Sequence, residues 1–321
     1  MMGSEDIDFG LGNIWNGWFE FRKGKRMSLE MHEFQFNLET NLLQLHQDLN
    51  NGTYKHGQYR KFIVCDNKRR EISVASVRDR VVHRLLYDYL VPIWDRTFIF
   101  DAWSCRKDKG LLTAIERTQK FLKDYPRAYI WRADIRKFFD SVNHDLLLKI
   151  LARRIKDPRA MNLAKTVIKS FTTGPELWGG GVKGMPIGNL TSQIFCNIYL
   201  NELDRFVKHK LKVKGYLRYG DDFLLFEPNK TNLKKLREET ENFLTNVIKL
   251  TINPKNDLIV KAKNGLKFLG VEIWPTGRRL KKSQQKKNHK TTNFEKPPKL
   301  SRPHKTTRNS QIQNNLRLDN S

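Results

Sequence analysis

Two adjacent aspartates, Asp221 and Asp222, interrupt the apolar run RYGDDFLLF of a chain whose net charge is +26. Side-by-side carboxylates repel, so the pair needs a bound cation, a solvated turn or raised pKa values. A third carboxylate, Asp134, closes the run AYIWRAD. Carboxylates gathered at strand ends suit Mg²⁺, a hard cation that takes oxygen ligands and leaves room for substrate phosphates. Two such ions can activate an attacking hydroxyl and stabilise the leaving oxygen in phosphoryl transfer. Gly-Asp is equally an ordinary hairpin signal. YGDD alone therefore fits a turn as well as a metal site, and spacing does not by itself bring Asp134 to Asp221.

The elements that must hold these groups can be read from periodicity. AYIWRADIRKFF reads as a buried strand, and KGYLRYG with DFLLFE as a hairpin about the two aspartates. Phe34, Leu38, Leu42, Leu45 and Leu49 recur at helical spacing in one N-terminal segment that ends at Asn51-Gly52. Val82, Leu85, Leu86, Tyr89 and Leu90 mark a second helix, which Pro92 is expected to stop. TAIERTQKFLKDY, HDLLLKILARRI, TSQIFCNIYLNELDRFVKHKL and LKKLREETENFLTNVIKL read as further helices. A last strand pair is expected in LIVKAKNGLKFLGVEIW, turning at Asn264-Gly265. Strands and helices mix without regular βαβ alternation, which points to an α+β fold.

Composition narrows the partners. Lys and Arg outnumber Asp and Glu by 60 to 34 in 321 residues, an excess that favours polyanions and above all nucleic acid. Cys65, Cys105 and Cys196 are scattered, which indicates neither a zinc site nor a disulfide framework. The acidic start MMGSEDIDFG does not read as a signal peptide, and no apolar run reaches the roughly 20 residues of a membrane helix. A cytoplasmic protein with no membrane partner is the expectation. From Arg279 onward the sequence is rich in Lys, Asn, Gln and Thr with few apolar residues, and it is expected to be disordered when free. Trp15 and Trp18 could stack on bases, with a core role the better expectation.

Taken in order along the chain, these segments resemble a reverse transcriptase, most closely those of bacterial diversity-generating retroelements. RYGDDF is similar to that family's YxDD motif, and RADIRKFFDSVNH to the strand bearing its first aspartate. GMPIGNLTSQIFCNIYLNELDRFV is similar to the helix that contacts template and nucleotide, and LKFLGVEI to the primer-grip hairpin. KRREISVASVRDRVVH and FDAWSCRKDKGLLTAIERTQKFL fit the fingers, so the likeness covers roughly residues 20 to 275. It implies a right-hand polymerase: an N-terminal extension and fingers over 1–125, a palm over 126–275 with part of the fingers interleaved near 150–185, and a basic tail over 276–321 where a thumb would follow.

The resemblance also implies roles. Asp134, Asp221 and Asp222 would bind two Mg²⁺ ions, for which Mn²⁺ can substitute, together with backbone near Ile135. Lys68 and Arg70 would hold incoming phosphates, Arg gripping bidentately. Phe139 falls at the position that excludes a 2′-hydroxyl, while Ile187, Gly188 and Gln193 would meet the nucleotide. Lys255 in NPKN would supply a proton to pyrophosphate, and Phe268, Leu269 and Gly270 would form the primer grip. The implied partners are a template-repeat RNA, a primer and its cDNA, deoxynucleoside triphosphates and a small basic accessory protein.

Ile187 separates the subfamilies. Group II intron and retroviral enzymes usually carry Gln there, whose amide can hydrogen-bond the incoming nucleotide's sugar; Ile offers only apolar contact. Losing that constraint weakens discrimination, and in the retroelement enzymes the apolar residue accompanies misincorporation opposite template adenines. IGNLTSQ, with Ser192-Gln193 instead of Ser-Pro, is the retroelement form. Gly220 departs from the usual Ala or Val, and the Lys-rich tail with Pro297, Pro298 and Pro303 departs from an Arg-rich helical thumb. The competing expectations are an intron- or retron-type reverse transcriptase without mutagenic bias and an inactive RNA-binding remnant.

Overall fold

The computed structural model describes residues 6–65, 69–173 and 182–280. In chain order, α1 (Leu11–Arg22), α2 (Leu29–Phe36) and α3 (Leu38–Asn50) precede a two-stranded ribbon of β1 (Arg60–Cys65) and β2 (Arg69–Val74). α4 (Val77–Trp94) and α5 (Leu111–Asp124) lead to β3 (Tyr129–Asp134), followed by α6 (Phe138–Ser141), α7 (His144–Ala152), α8 (Pro158–Lys169) and α9 (Leu190–Arg205). The hairpin β4 (Gly215–Tyr219) and β5 (Asp222–Glu227), α10 (Lys230–Asn246) and β6 (Leu258–Lys261) follow. A small sheet of β7 (Leu266–Phe268), β8 (Val271–Ile273) and β9 (Arg278–Leu280) ends the described part.

The central sheet is antiparallel with strand order β4-β5-β3-β6. Successive side chains on a strand point to opposite faces, so each strand divides its residues between two cores. Trp131, Ala133, Tyr216, Phe223 and Leu225 join α9 and α10 in the larger core through Ile198, Tyr199, Leu203, Leu233 and Leu244. Ile130, Leu217, Leu224 and Phe226 face the other way, onto Ile115 and Phe121 of α5 and onto Leu266, Phe268, Val271 and Ile273 of the small hairpin. By the same alternation Arg132 and Asp134 share Ile130's face, and Asp222 shares that of Leu224. Trp18 is fully buried, whereas Trp15 is half-buried against the same core.

Three expectations change. The N-terminal helical segment divides at Asn37, leaving Leu42, Leu45 and Leu49 buried on α3 and only Met31 buried on α2. Pro92 lies inside the last turn of α4 rather than stopping it, because a proline removes only one rung there and Trp94 beyond it is buried. The C-terminal hairpin turns at Leu269-Gly270, not at Asn264-Gly265. Phe268 pairs with Val271, and both turn residues have positive φ, +49° and +83°, which defines a two-residue type I′ turn. Asn264 instead ends a 3₁₀ turn after β6, a strand that joins the central sheet. The tail from residue 281 lies outside the described residues.

Candidate active site

β3 and β5 bring the three aspartates together. Their register pairs Asp134 directly with Asp222, and Asp221 occupies the two-residue turn between Tyr219 and Asp222. Gly220, with φ +62°, supplies the left-handed conformation that turn requires, at a cost to any residue with a Cβ. The Ile135 N–H donates to the Asp221 carbonyl at 3.2 Å, pinning the tip of the hairpin beside the end of β3. On the other side, Ile135 bridges to Ile252, and Asn253 N–H donates to the Asp134 carbonyl at 2.9 Å.

The carboxylates are not compensated alike. Asn256 Nδ2 donates to Asp134 Oδ2 at 2.5 Å, while the buried Oδ1 of Asp134 has no hydrogen-bond partner. The Arg132 guanidinium stands 3.5 Å from Asp222 Oδ1 and donates to the Lys267 carbonyl on β7. Burial pushes the Asp221 carboxyl up to about 6, reinforced by the charges of Asp222 and Asp134 and opposed by Arg70. An orphaned buried carboxylate oxygen beside an acid held above its ordinary range is a donor set whose charge a cation would offset. Among the described residues no three His, Cys, Asp or Glu side chains close into a complete cage. An ion that keeps waters and substrate phosphates among its ligands needs only one or two carboxylates. The residues present therefore fit a divalent ion of that kind.

A cleft of about 500 Å³ is lined in part by Lys61 and Glu71 of the ribbon, Lys137, Asp140, Met185 and Ile187. Ile187 is half-buried there, and its carbonyl accepts from Ser73 N–H at 3.1 Å. Gly188 follows with φ +112°; a Cβ on it would stand 2.9 Å from Ile72 Cγ2, so the backbone meets β2 at a distance only glycine permits. Phe139 is half-buried, edge-on to Phe138 at 5.3 Å, and its carbonyl accepts from Met185 N–H. Arg70 is exposed on β2 within electrostatic reach of Asp221, whereas Lys68 lies outside the described residues. Gln193 is exposed on α9. Lys255 is exposed beside Asn256, and Phe268 is buried under the turn formed by Leu269 and Gly270.

Several residues of this neighbourhood are invisible to motif reading. Asn189 clamps the end of β2, donating to the Ser73 carbonyl at 2.7 Å and accepting from Ala75 N–H at 3.2 Å. Thr191 Oγ1 meets buried His83 Nδ1 at 2.8 Å, tying α9 to α4. Asn256, which bonds Asp134, stands 122 positions from it. Asn253-Pro254 signals only a local turn, and Asn253 Oδ1 indeed caps Lys255 N–H.

A helix-backed antiparallel sheet with carboxylates at the tip of its central hairpin, a projecting ribbon and a second hairpin across the same face define a polymerase of the right-hand class. The sequence profile described as reverse transcriptase (RNA-dependent DNA polymerase) matches residues 53–273, and the chain belongs to that family. It is 27% identical over 274 residues to the protein YkfC of Escherichia coli, covering 74% of this chain and 72% of that one. It is 21% identical to the group II intron-encoded protein LtrA of Lactococcus lactis, over 73% of this chain and 50% of the relative. A putative COX1/OXI3 intron 2 protein of Saccharomyces cerevisiae is 22% identical, and only 34% of its length is covered. The chain thus spans half or less of these two intron relatives. Telomerase from Candida albicans, in complex with a fragment of telomeric RNA, superimposes with a TM-score of 0.52 at 11% identity, over 78% of this chain and 50% of that one. That likeness carries the fold. No helix among the described residues is long and apolar enough to cross a membrane.

Proposed function

We propose that this chain copies RNA into DNA at the site formed by Asp134, Asp221 and Asp222, with two Mg²⁺ ions held by those carboxylates and Mn²⁺ able to replace them. The observation that carries the reading is the β3–β5 register, which sets Asp134 against Asp222 with Asp221 in the turn beside them. When bound, the ions supply charge stabilisation for the attacking and leaving oxygens of phosphoryl transfer. The chain's own residues do the rest. Asp221, ionised above pH 6, provides negative charge that a cation relieves. Asn256 and Asn253 hold Asp134 by its side chain and its carbonyl. Arg70, with Lys68, grips the triphosphate of the incoming deoxynucleotide. Phe139 excludes a 2′-hydroxyl, and Phe268, Leu269 and Gly270 steady the primer. The primer 3′-hydroxyl gives its proton to solvent and its oxygen bonds the α-phosphorus as the bond to the α,β-bridging oxygen breaks; the departing pyrophosphate takes a proton from Lys255, which solvent restores.

We further propose that the chain serves a diversity-generating retroelement, copying a template-repeat RNA with errors at adenines and working with a small basic accessory protein. Ile187 on the cleft wall supports this, since its side chain cannot hydrogen-bond a nucleotide sugar. The intron-encoded relatives favour the second reading, an intron-type enzyme without that bias. Mg²⁺-dependent primer extension on an RNA template, followed by cDNA sequencing, separates them. Extension by the parent and none by a folded Asp221→Ala variant is expected. Errors at template adenines that fall in Ile187→Gln support the retroelement role; evenly spread errors support the intron-type enzyme. Absence of extension with cognate RNA and partner points to a binding remnant.

A further inference from the structure

Below the catalytic turn lies a guanidinium that the polymerase chemistry leaves unused. Arg218 is 0% exposed and paired with Asp204, also 0% exposed. Its Nε and Nη2 form a fork on Asp204 Oδ1 and Oδ2 at 2.8 and 2.6 Å, and the Tyr216 hydroxyl donates to the same Oδ1 at 2.9 Å. Its remaining Nη1 donates to Asn197 Oδ1 at 3.1 Å and to the Gly220 carbonyl at 3.0 Å. Asn197 is itself held, donating to the Ser104 carbonyl at 2.8 Å. Arg218's backbone is bound both ways, by Asp101 O and by Trp103 N–H, each at 2.9 Å. A buried ion pair is poor at adding stability, because well-packed apolar residues commonly do as well. The geometry of the fourth contact gives this one a different task.

We propose that Arg218 is a positioning residue that orients Asp221 for metal binding by clamping the Gly220 carbonyl to α9; this rests on reading Asp134, Asp221 and Asp222 as the metal site. The peptide plane entering Asp221 is fixed by Arg218 at the Gly220 oxygen. The plane leaving it is fixed by Ile135 N–H at the Asp221 oxygen. With both flanking planes held, the φ and ψ of Asp221 are set, and its carboxylate retains only its side-chain torsions. Because Asp204 balances the guanidinium, the effect on the site is geometric rather than a neutralisation of its charge. A lysine could keep the charge on Asp204 but not reach both ends, since its ammonium is a point donor without the planar fork.

The test compares full-length Arg218→Lys and the double variant Arg218→Met/Asp204→Asn with the parent and with Asp221→Asn. The double variant removes both charges and leaves Tyr216 an acceptor, so the core stays free of an unpaired ion. Mn²⁺ binding is followed by loss of the free-ion paramagnetic resonance signal, with melting curves as the check on folding. Loss of an outer residue that orients a ligand lowers metal affinity on the order of 10- to 100-fold. That fall, with a matching rise in the metal concentration for half-maximal extension and an unchanged primer KM, is expected in either folded variant. Parental Mn²⁺ affinity in a folded variant, while Asp221→Asn has lost it, overturns the positioning role alone. Parental affinity in Asp221→Asn overturns the metal-site reading and the proposal with it.

Discussion

Asp221→Asn is expected to make the metal-free protein more stable, and by an amount that depends on pH. In the folded chain the Asp221 carboxyl releases its proton near 6, against an ordinary value of 3.8, because burial and then the charges of Asp222 and Asp134 oppose its ionisation. The unfolded chain gives up that proton more readily, so between about pH 4 and 6 the folded state binds more protons than the unfolded one. Stability therefore falls as pH rises through this window and stays low above it. The gap of about 2.2 pH units (6 less 3.8), at about 1.36 kcal/mol each, sets a ceiling of about 3 kcal/mol on the penalty at pH 7. Asparagine keeps the shape without the charge, so its advantage should approach that ceiling at pH 7 and vanish near pH 4. Urea unfolding of parent and variant in chelator, from pH 4 to 8, measures it. A variant less stable than the parent at pH 7, or an advantage that does not change with pH, refutes the reasoning. Saturating Mg²⁺ should reverse the order at pH 7, since only the parent gains binding energy linked to folding.

Gly188→Ala should destabilise by about 2 kcal/mol or more, because φ +112° disfavours a Cβ and Ile72 stands 2.9 Å from it; an unchanged melting temperature would contradict the close approach. Asn189→Ala should cost about 1–3 kcal/mol by orphaning groups on Ser73 and Ala75, both buried. Asn189→Asp, which keeps the acceptor for Ala75 but turns a carboxylate oxygen onto the buried Ser73 carbonyl, should lose at least as much in the same melting experiment. Since Ser73 also bonds the Ile187 carbonyl, Asn189→Ala should shift the error spectrum of the cDNA as well.

The parts of this site that lie close in sequence were legible, and those that depend on distant pairing were not. The β4–β5 hairpin follows from an apolar strand, Gly220-Asp221 and a second apolar strand, all within a dozen residues. The end of β3 at Asp134 follows from the change from apolar to charged residues. The meeting of Asp134 with Asp222 is a register between separated segments, and pattern carries no register across such a gap. The hairpin at Leu269-Gly270 was misplaced because Asn264-Gly265 is the stronger local turn signal, yet packing of Leu266 and Phe268 into the second core required the later turn. Arg218 stood in the open as a charge in an apolar strand; its four acceptor atoms come from one helix, α9, and a turn that no local rule joins.

The bond from Asn256 to Asp134 has a bearing on how the protein is made. Chains emerge from the ribosome N-terminus first, and a domain's early segments can pack before its late ones exist. A nascent chain that has released α1 to α9 and both strands carrying the aspartates still lacks Asn253, Asn256 and all of β6, so Asp134 is secured on neither its carbonyl nor its carboxylate. The long loop that this contact closes makes it one of the slower ones to form. A translation product that stops before Asn253 therefore leaves Asp134 without either of these bonds.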